Sequence, residues 1–504
     1  MKPIRIAALL LSLCIALPAV LTSCDNGGSA DESKNNPDDT VIHNGKYVPN
    51  APKNDFNAAA FRIAGMDPDM YNSVLIEFDF EEDQEDIVYE AIYRRNRAVE
   101  ERYNLVFEND YIGTYNECRA LFEKNVTGND SYYSLYMMTQ RDSLSKVLDG
   151  AVIPSDSIPY LDFSQPWYQD GMNSVFNIEG IQLLCYTDTC MCSYLSTVCL
   201  FFNQNIVRDR TDIDNPYDLV ENGTWTLDKF FSLANTAKSD INGDGFSVDE
   251  GDIFGIAGEH DGLYASMWIG SDIKAIDVDG DGELRFNAAK NEKFTGIVEK
   301  VANQVKIDGL FCNSFRYFSD ISTNGDIQRR GGQQYFSDGK ALFMVGGLGN
   351  IQTLRNMEAD FGLVPLPKYD ENQKEYRTRT ADGWIYNVPS VSDIDLKMAG
   401  TVIDALGAEA ANYVKPAFFE KALQYKYIRE TDKEVTLKML NLIFDSAIID
   451  LSDTFLDCFA VPMWTVISEG NGNYQSSIDS LERRVKITLV ENQKKVTELA
   501  NSLK

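Results

Sequence analysis

Two periods share this chain. Runs with alternating or continuous apolar residues read as strands, and between them the apolar positions recur every three or four residues, as on helices. Phe61-Arg62-Ile63-Ala64 reads as a first strand that opens into a polar, acidic stretch over 66–86. In DIVYEAIYRRNRAVEERY, residues 86–103, Val88, Ile92, Val99 and Tyr103 share one helical face behind an acidic start. Leu105–Phe107 resumes strand, and Tyr132–Met138 is a further strand ending in Thr139-Gln140-Arg141-Asp142. This βαβ order predicts an α/β fold. Residues 181–207 hold two apolar, strand-like runs broken by Thr187-Asp188-Thr189, and Cys190–Phe202 reads as a buried strand. Thr226 caps a helix to Ala237, and 291–307 is amphipathic through Phe294, Ile297, Val298, Val301 and Val305. Ala341–Val345 is a strand running into Gly346-Gly347-Leu348-Gly349-Asn350, and Phe361–Pro367 is another. Helices dominate from Ser392, including 431–446 with Glu434 placed for a capping box. No internal repeat is visible.

The first residues follow a different rule. Lys2 and Arg5 precede an apolar core from Ile6 to Val20, a length that suits secretion rather than a bilayer span. Leu21-Thr22-Ser23-Cys24 then forms a lipobox, so cleavage before Cys24 and lipid on its sulfur are expected. This places the chain on the cell surface, lipid-anchored at the outer face of the cytoplasmic membrane. Residues 24–54 are polar and acidic and are expected to be a flexible tether.

Charge narrows the partners. The formal net charge is −31, which repels nucleic acid and anionic lipid. Of nine cysteines, Cys185, Cys190, Cys192 and Cys199 crowd together without paired zinc spacing and read as small buried residues. With only His43 and His260 in the chain, chemistry that needs several histidines is disfavoured.

One segment looks like a cation loop. In DINGDGFSVDEGD, residues 240–252, Asp240, Asn242 and Asp244 occupy the first, third and fifth places of an EF-hand loop. Gly245 falls at the sixth, and Phe246 offers a carbonyl at the seventh. The twelfth place is Gly251, not a glutamate, and strand-like IFGIAG follows. Two readings of this loop stay open: a structural calcium completed by Asp252 or Asp249, and an Asx-rich turn without a cation. The poorer copy DVDGDGE, at 277–283, reads as a hairpin.

Several stretches together resemble a known family: the lipobox, AIYRRNRAVEERYN (91–104), FFNQNIV (201–207), NPYDLVENGTWTLDKF (215–230), DINGDG with IFGIAG (240–258), GKALFMVGG (339–347), DFGLVPLPKYDENQKEYRT (360–378) and ADGW (381–384). This pattern is similar to the lipoprotein solute-binding proteins of ABC sugar importers, the group related to maltose-binding protein. The resemblance implies a two-lobed, type II clamshell joined by hinge strands, with a sugar or oligosaccharide in the cleft and ABC permease subunits as partners. Lobe one is then expected over 55–183 and 340–384, and lobe two over 184–339 and 385–504. It implies no enzyme and no catalytic cofactor.

A sugar offers an apolar ring face and a rim of hydroxyls, so aromatic and polar side chains at strand carboxyl ends are its expected contacts. That rule nominates Asp67, Asp69, Gln140, Arg141, Asp142, Thr187, Asp188 and the turn around Gly347. Among five tryptophans, Trp384 after Asp382-Gly383 is the first stacking candidate, followed by Trp268 and Trp464. Trp167 and Trp225 read as structural. The GGLGN turn lacks the spacing of a nucleotide loop. Two other readings stay open: a surface glycoside hydrolase with an unseen carboxylate pair, and a glycan-binding surface lipoprotein built from helical repeats.

Overall fold

The computed structural model describes residues 42–503, apart from 44, 69–76, 79–80, 83–84, 190, 250, 320–324, 355–356, 382 and 425–431. Cys24, Asp69 and Asp382 lie outside the described residues. Residues 40–504 form one compact unit.

Nine strands build two sheets: β1 (Ala59–Gly65), β2 (Leu105–Tyr111), β3 (Leu135–Thr139), β4 (Val198–Asn203), β5 (Phe254–Gly258), β6 (Phe311–Asn313), β7 (Ala341–Gly347), β8 (Phe361–Val364) and β9 (Trp384–Asn387). The first sheet has the order β9-β3-β1-β2 and the second β6-β5-β7-β4-β8. Each is mostly parallel with one reversed strand. β9 runs against β3, and β4 runs against both β7 and β8. β4 and β5 are buried at every residue, as expected for strands covered on both faces.

Helices cover the sheets because their apolar stripes require it. In Glu292–Val305, Phe294, Ile297, Val298, Val301 and Ala302 are all buried, and Asn291 caps the start by accepting from Phe294 N at 3.0 Å. Each fully buried large side chain on that face contributes about 1.5–3 kcal/mol. Helix Ile87–Tyr103 is capped by Asp86 and ends at Asn104, which is left-handed at φ 48°.

The sheets divide the chain differently from the expected lobes. β7 and β8, expected with 55–183, lie in the second sheet, while β9 pairs with β3 in the first. Helix Leu396–Glu409 follows β9 onto the first sheet, where Met398, Val402 and Leu406 share a core with Phe61, Leu105 and Leu135. The cause is burial: that apolar sheet face needs a cover, and residues 396–409 supply it.

Part of the expected tether is docked. Lys46–Tyr47 pairs with Ile42–His43, and the backbone of Tyr47 exchanges hydrogen bonds with the Asn412 side chain at 2.9 and 3.0 Å. Ala51 is buried, and its N–H reaches the Asp404 carboxylate at 2.9 Å. Asp404 also accepts from Trp167 Nε1 at 3.1 Å and Tyr168 OH at 3.3 Å. A buried carboxylate needs such donors, and residues 50–51 provide two of them.

Of the expected strand 190–202, only Val198–Asn203 is extended; Met191–Leu195 is helical, and Thr197 N closes the turn onto Tyr194 O at 3.0 Å. The helix expected over 431–446 runs Lys433–Asp445 without a side-chain capping bond from Asp432, its N-cap residue; Thr431 lies outside the described residues. The DVDGDGE hairpin is present, joining Ile276–Val278 to Leu284–Phe286. No described helix is long and apolar enough to cross a membrane.

Candidate ligand-binding site

A cavity of about 400 Å³ lies where the carboxyl ends of β5 and β7 meet the first residue of β9. Register explains its walls. Gly347 at the end of β7 stands opposite Val198 at the start of β4, and Trp384 at the start of β9 stands opposite Thr139 at the end of β3. The carboxyl edges of both sheets therefore reach one place, which is where open α/β sheets bind ligands.

Two glycines allow the approach. A Cβ on Gly258, at φ +135°, would fall 2.8 Å from Val345 Cγ1 and O, and one on Gly347 would fall 2.5 Å from the Leu195 carbonyl oxygen. Past Gly258 the chain turns into helix His260–Gly270 and presents Glu259 and Asp261 to the cavity. Helix Gly325–Ser337 brings Arg329, Arg330 and Gln333 to the opposite wall, and Arg379 enters from the short strand Thr378–Arg379. Val198, Val345 and Ala381 add apolar surface.

The charges are mostly matched. Arg329 Nε meets Glu259 Oε2 at 3.0 Å. Arg379 is buried and holds Asp453 with a two-pronged bond, Nε to Oδ2 at 2.8 Å and Nη2 to Oδ1 at 2.7 Å; its Nη1 reaches the Asp261 carbonyl at 3.0 Å. Burial, and then the neighbouring Asp261 charge, push Glu259 up to about 7 against the pull of Arg329. Burial lowers His260. Asp261 Oδ1 and Gln333 Oε1 are buried with no hydrogen-bond partner among the described residues. The cavity thus offers acceptors, guanidinium donors and a small part of one indole ring, a set suited to a polar molecule bearing both donors and acceptors.

Two of the expected contacts, Gly347 and Trp384, line this cavity. Trp384 is mostly covered by Met66, Cys118 and Met137, so little of its ring is open to the cavity. The other described candidates do not line it. Gln140 is buried, accepts from Tyr186 OH at 2.7 Å and donates to Thr454 Oγ1. Arg141 is half-buried one residue further on. Asp142 caps onto Thr139 through its N–H at 3.3 Å and lies 3.8 Å from Arg119. Asp67 is half-buried and its N–H donates to Gly113 O at 2.9 Å. Thr187 and Asp188 are buried, and Asp188 is shared among Tyr194, Gln169 and Lys415. Trp268 is a core residue, and Trp464 packs edge-on against His260 with ring centroids 5.4 Å apart.

Sequence reasoning missed Glu259, Asp261, Arg329, Arg330, Gln333 and Arg379. The carboxyl-end rule would have found the first two, since they follow the IFGIAG strand. Nothing in GDIQRRGGQQ announces that one face of that helix lines a cleft.

The 240–252 loop is closed by its own amides. Asp240 accepts from Gly243 N at 2.6 Å and Gly245 N at 2.9 Å, and the buried Asp252 accepts from Ile241 N and Ser247 N, both at 2.9 Å. Asn242 accepts from Asp244 N at 3.2 Å, and the Phe246 ring packs on Phe254. Among the described residues no three His, Cys, Asp or Glu side chains converge as a metal-holding group.

No protein-family model matches the chain, and no curated protein matches it by sequence. Solved structures do. The maltose/maltodextrin-binding domain MalE from Bdellovibrio bacteriovorus, bound to maltotriose, is 13% identical with a TM-score of 0.53, covering 85% of this chain and 100% of its own. The cyclic alpha-maltosyl-1,6-maltose binding protein from Arthrobacter globiformis is 12% identical with a TM-score of 0.53, over 86% and 99%. UgpB from Mycobacterium tuberculosis, in complex with glycerophosphocholine, is 13% identical with a TM-score of 0.53, over 81% and 97%. At such identities the likeness establishes architecture: this chain has the two-lobed, mixed α/β clamshell fold of the type II solute-binding proteins.

Proposed function

We propose that this protein is a lipid-anchored extracellular receptor that captures a carbohydrate between its lobes and hands it to an ABC import permease, without altering it. The observation that carries the reading is the cavity at the joined carboxyl edges of two sheets, with orphaned acceptors on Asp261 and Gln333 that sugar hydroxyls would satisfy. The shared fold with a maltose/maltodextrin-binding domain bound to maltotriose, and with a cyclic alpha-maltosyl-1,6-maltose binding protein, supports it. The N-terminal basic head, apolar core and lipobox support an anchor on Cys24. In this reading the lobes close around the ligand, with the connecting segments near β4 and β9 as the hinge.

Calorimetry of the mature protein against a glycan panel tests the reading, with products assayed after each titration. A micromolar Kd, about −8 kcal/mol, with the glycan recovered intact supports it. Cleavage of the glycan by pure protein overturns it in favour of a hydrolase. Mass spectrometry of the N-terminal peptide, and loss of membrane association in Cys24→Ser, test the anchor.

A further inference from the structure

The sequence carries 77 acidic and 46 basic side chains, yet the cavity is lined by three arginines and two carboxylates. The local balance reverses the global one. Two of the arginines are matched, Arg379 by Asp453 and Arg329 by Glu259. Arg330 is different: it is exposed on the cavity wall and makes no hydrogen bond or ion pair among the described residues. A guanidinium is a planar fork suited to carboxylate, sulfate or phosphate oxygens. Within a concave wall its field is focused rather than screened.

Resting on the carbohydrate reading, we propose that the ligand is an acidic glycan, its anionic substituent held by Arg330 with Arg329 beside it, and its hydroxyls meeting Asp261 and Gln333. This division fits the cavity's own vacancies in bonding. The free donor is cationic and the free acceptors, Asp261 Oδ1 and Gln333 Oε1, are suited to hydroxyl protons.

Glu259 adds a proton to the binding equilibrium. The charged and titratable groups around it are His260 and Asp261 on its own helix, Arg329 and Arg330 across the cavity, and Arg379 with Asp453 behind it. Burial and Asp261 raise its carboxyl to about 7. Below that pH Glu259 is neutral and Arg329 is released toward the ligand. Above it, Glu259 is an anion that recaptures Arg329 and repels an acidic guest. Affinity for an acidic glycan therefore falls as pH rises through 7, while that for its neutral parent changes less.

The test is calorimetry with galacturonate, glucuronate and mannuronate oligomers, their sulfated counterparts and their neutral parents, at pH 6 and pH 8. At least one acidic oligomer should bind tenfold or more tightly than its parent, and the preference should shrink at pH 8. Arg330→Gln should erase the preference. Arg483→Gln, which removes the same charge from an exposed position on helix Tyr474–Leu503, should leave it intact. Comparing uronates with sulfated oligomers identifies which anion is read. Binding of neutral parents with no preference for the acid, or a preference that survives Arg330→Gln, overturns this inference and leaves the carbohydrate reading standing. Failure of every glycan overturns both.

Discussion

Trp268 Nε1 donates a 3.1 Å hydrogen bond to Asp450 Oδ2, deep beneath the second sheet. The same carboxylate accepts from the N–H groups of Ala275, Ile276 and Ser452. Trp268 is therefore a structural donor to a buried anion, and its ring packs on Phe294 and Phe459. Trp268→Phe should cost about 1–3 kcal/mol of stability by leaving Asp450 short of a donor. Ligand affinity in the folded variant should match wild type. Denaturant melts paired with calorimetry check this; a selective loss of affinity would place Trp268 in the site.

Glu259 links stability to pH. Its folded value, about 7, lies above its ordinary value of 4.5, so folding favours the protonated form. Its contribution is full below about 4.5 and is lost as pH rises through 7. Relative to Glu259→Gln, wild type should lose about 1–3 kcal/mol between those pH values. Melting curves of both proteins across that range give the difference directly, and parallel profiles would contradict it.

The Arg379–Asp453 pair is buried on both sides, at 6% and 2% side-chain exposure. Arg379→Met should cost about 3–5 kcal/mol because it strands a buried carboxylate. Arg379→Met combined with Asp453→Leu should recover part of that loss. Additive single and double effects would show that the two charges do not depend on one another.

Gly347 is a contact point between strand end and cavity wall. Gly347→Ala should destabilise by about 1–3 kcal/mol, since the new methyl meets a backbone carbonyl rather than a movable side chain. It should also weaken ligand binding by narrowing the cavity. An alanine variant with wild-type melting and affinity would refute the close approach.

Asp252 closes the 240–252 loop by holding two backbone N–H groups. Asp252→Ala should cost about 2–4 kcal/mol, one orphaned amide at a time. Because Asp240 and Asp252 are engaged by the loop's own amides, chelator should leave the wild-type melting temperature unchanged. Saturating calcium at one hundred times Kd would instead add about 2.7 kcal/mol. A drop on chelation would assign the loop to the cation.

Much of the architecture was legible because it is periodic. Helix 291–307 declared itself through five apolar positions, and β7 through an unbroken run ending in glycines. Which sheet each strand joined was not legible, because β7 and β9 pair with residues roughly 90 to 250 positions away and their composition suits either sheet. The site was harder still. Gly347 and Trp384, nominated by their position after strands or motifs, do line the cavity. Trp268 was misread because a tryptophan after a glycine-rich turn looks the same whether it faces a cleft or an aspartate. Arg330 was invisible because its place on the cavity wall depends on how its helix packs across from the strand ends, which no local pattern records.

The pairing of β9 with β3 also sets a timetable for making the protein. Some 250 residues separate Met138 from Ile385, yet they are partners in one sheet. A chain that has emerged only as far as β8 holds β1, β2 and β3 with the outer edge of β3 bare, a row of unpaired amides and carbonyls open to other chains. The first sheet therefore cannot finish before the strands of the second have been made, and a chain of this kind needs protection from its neighbours until its last hundred or so residues arrive.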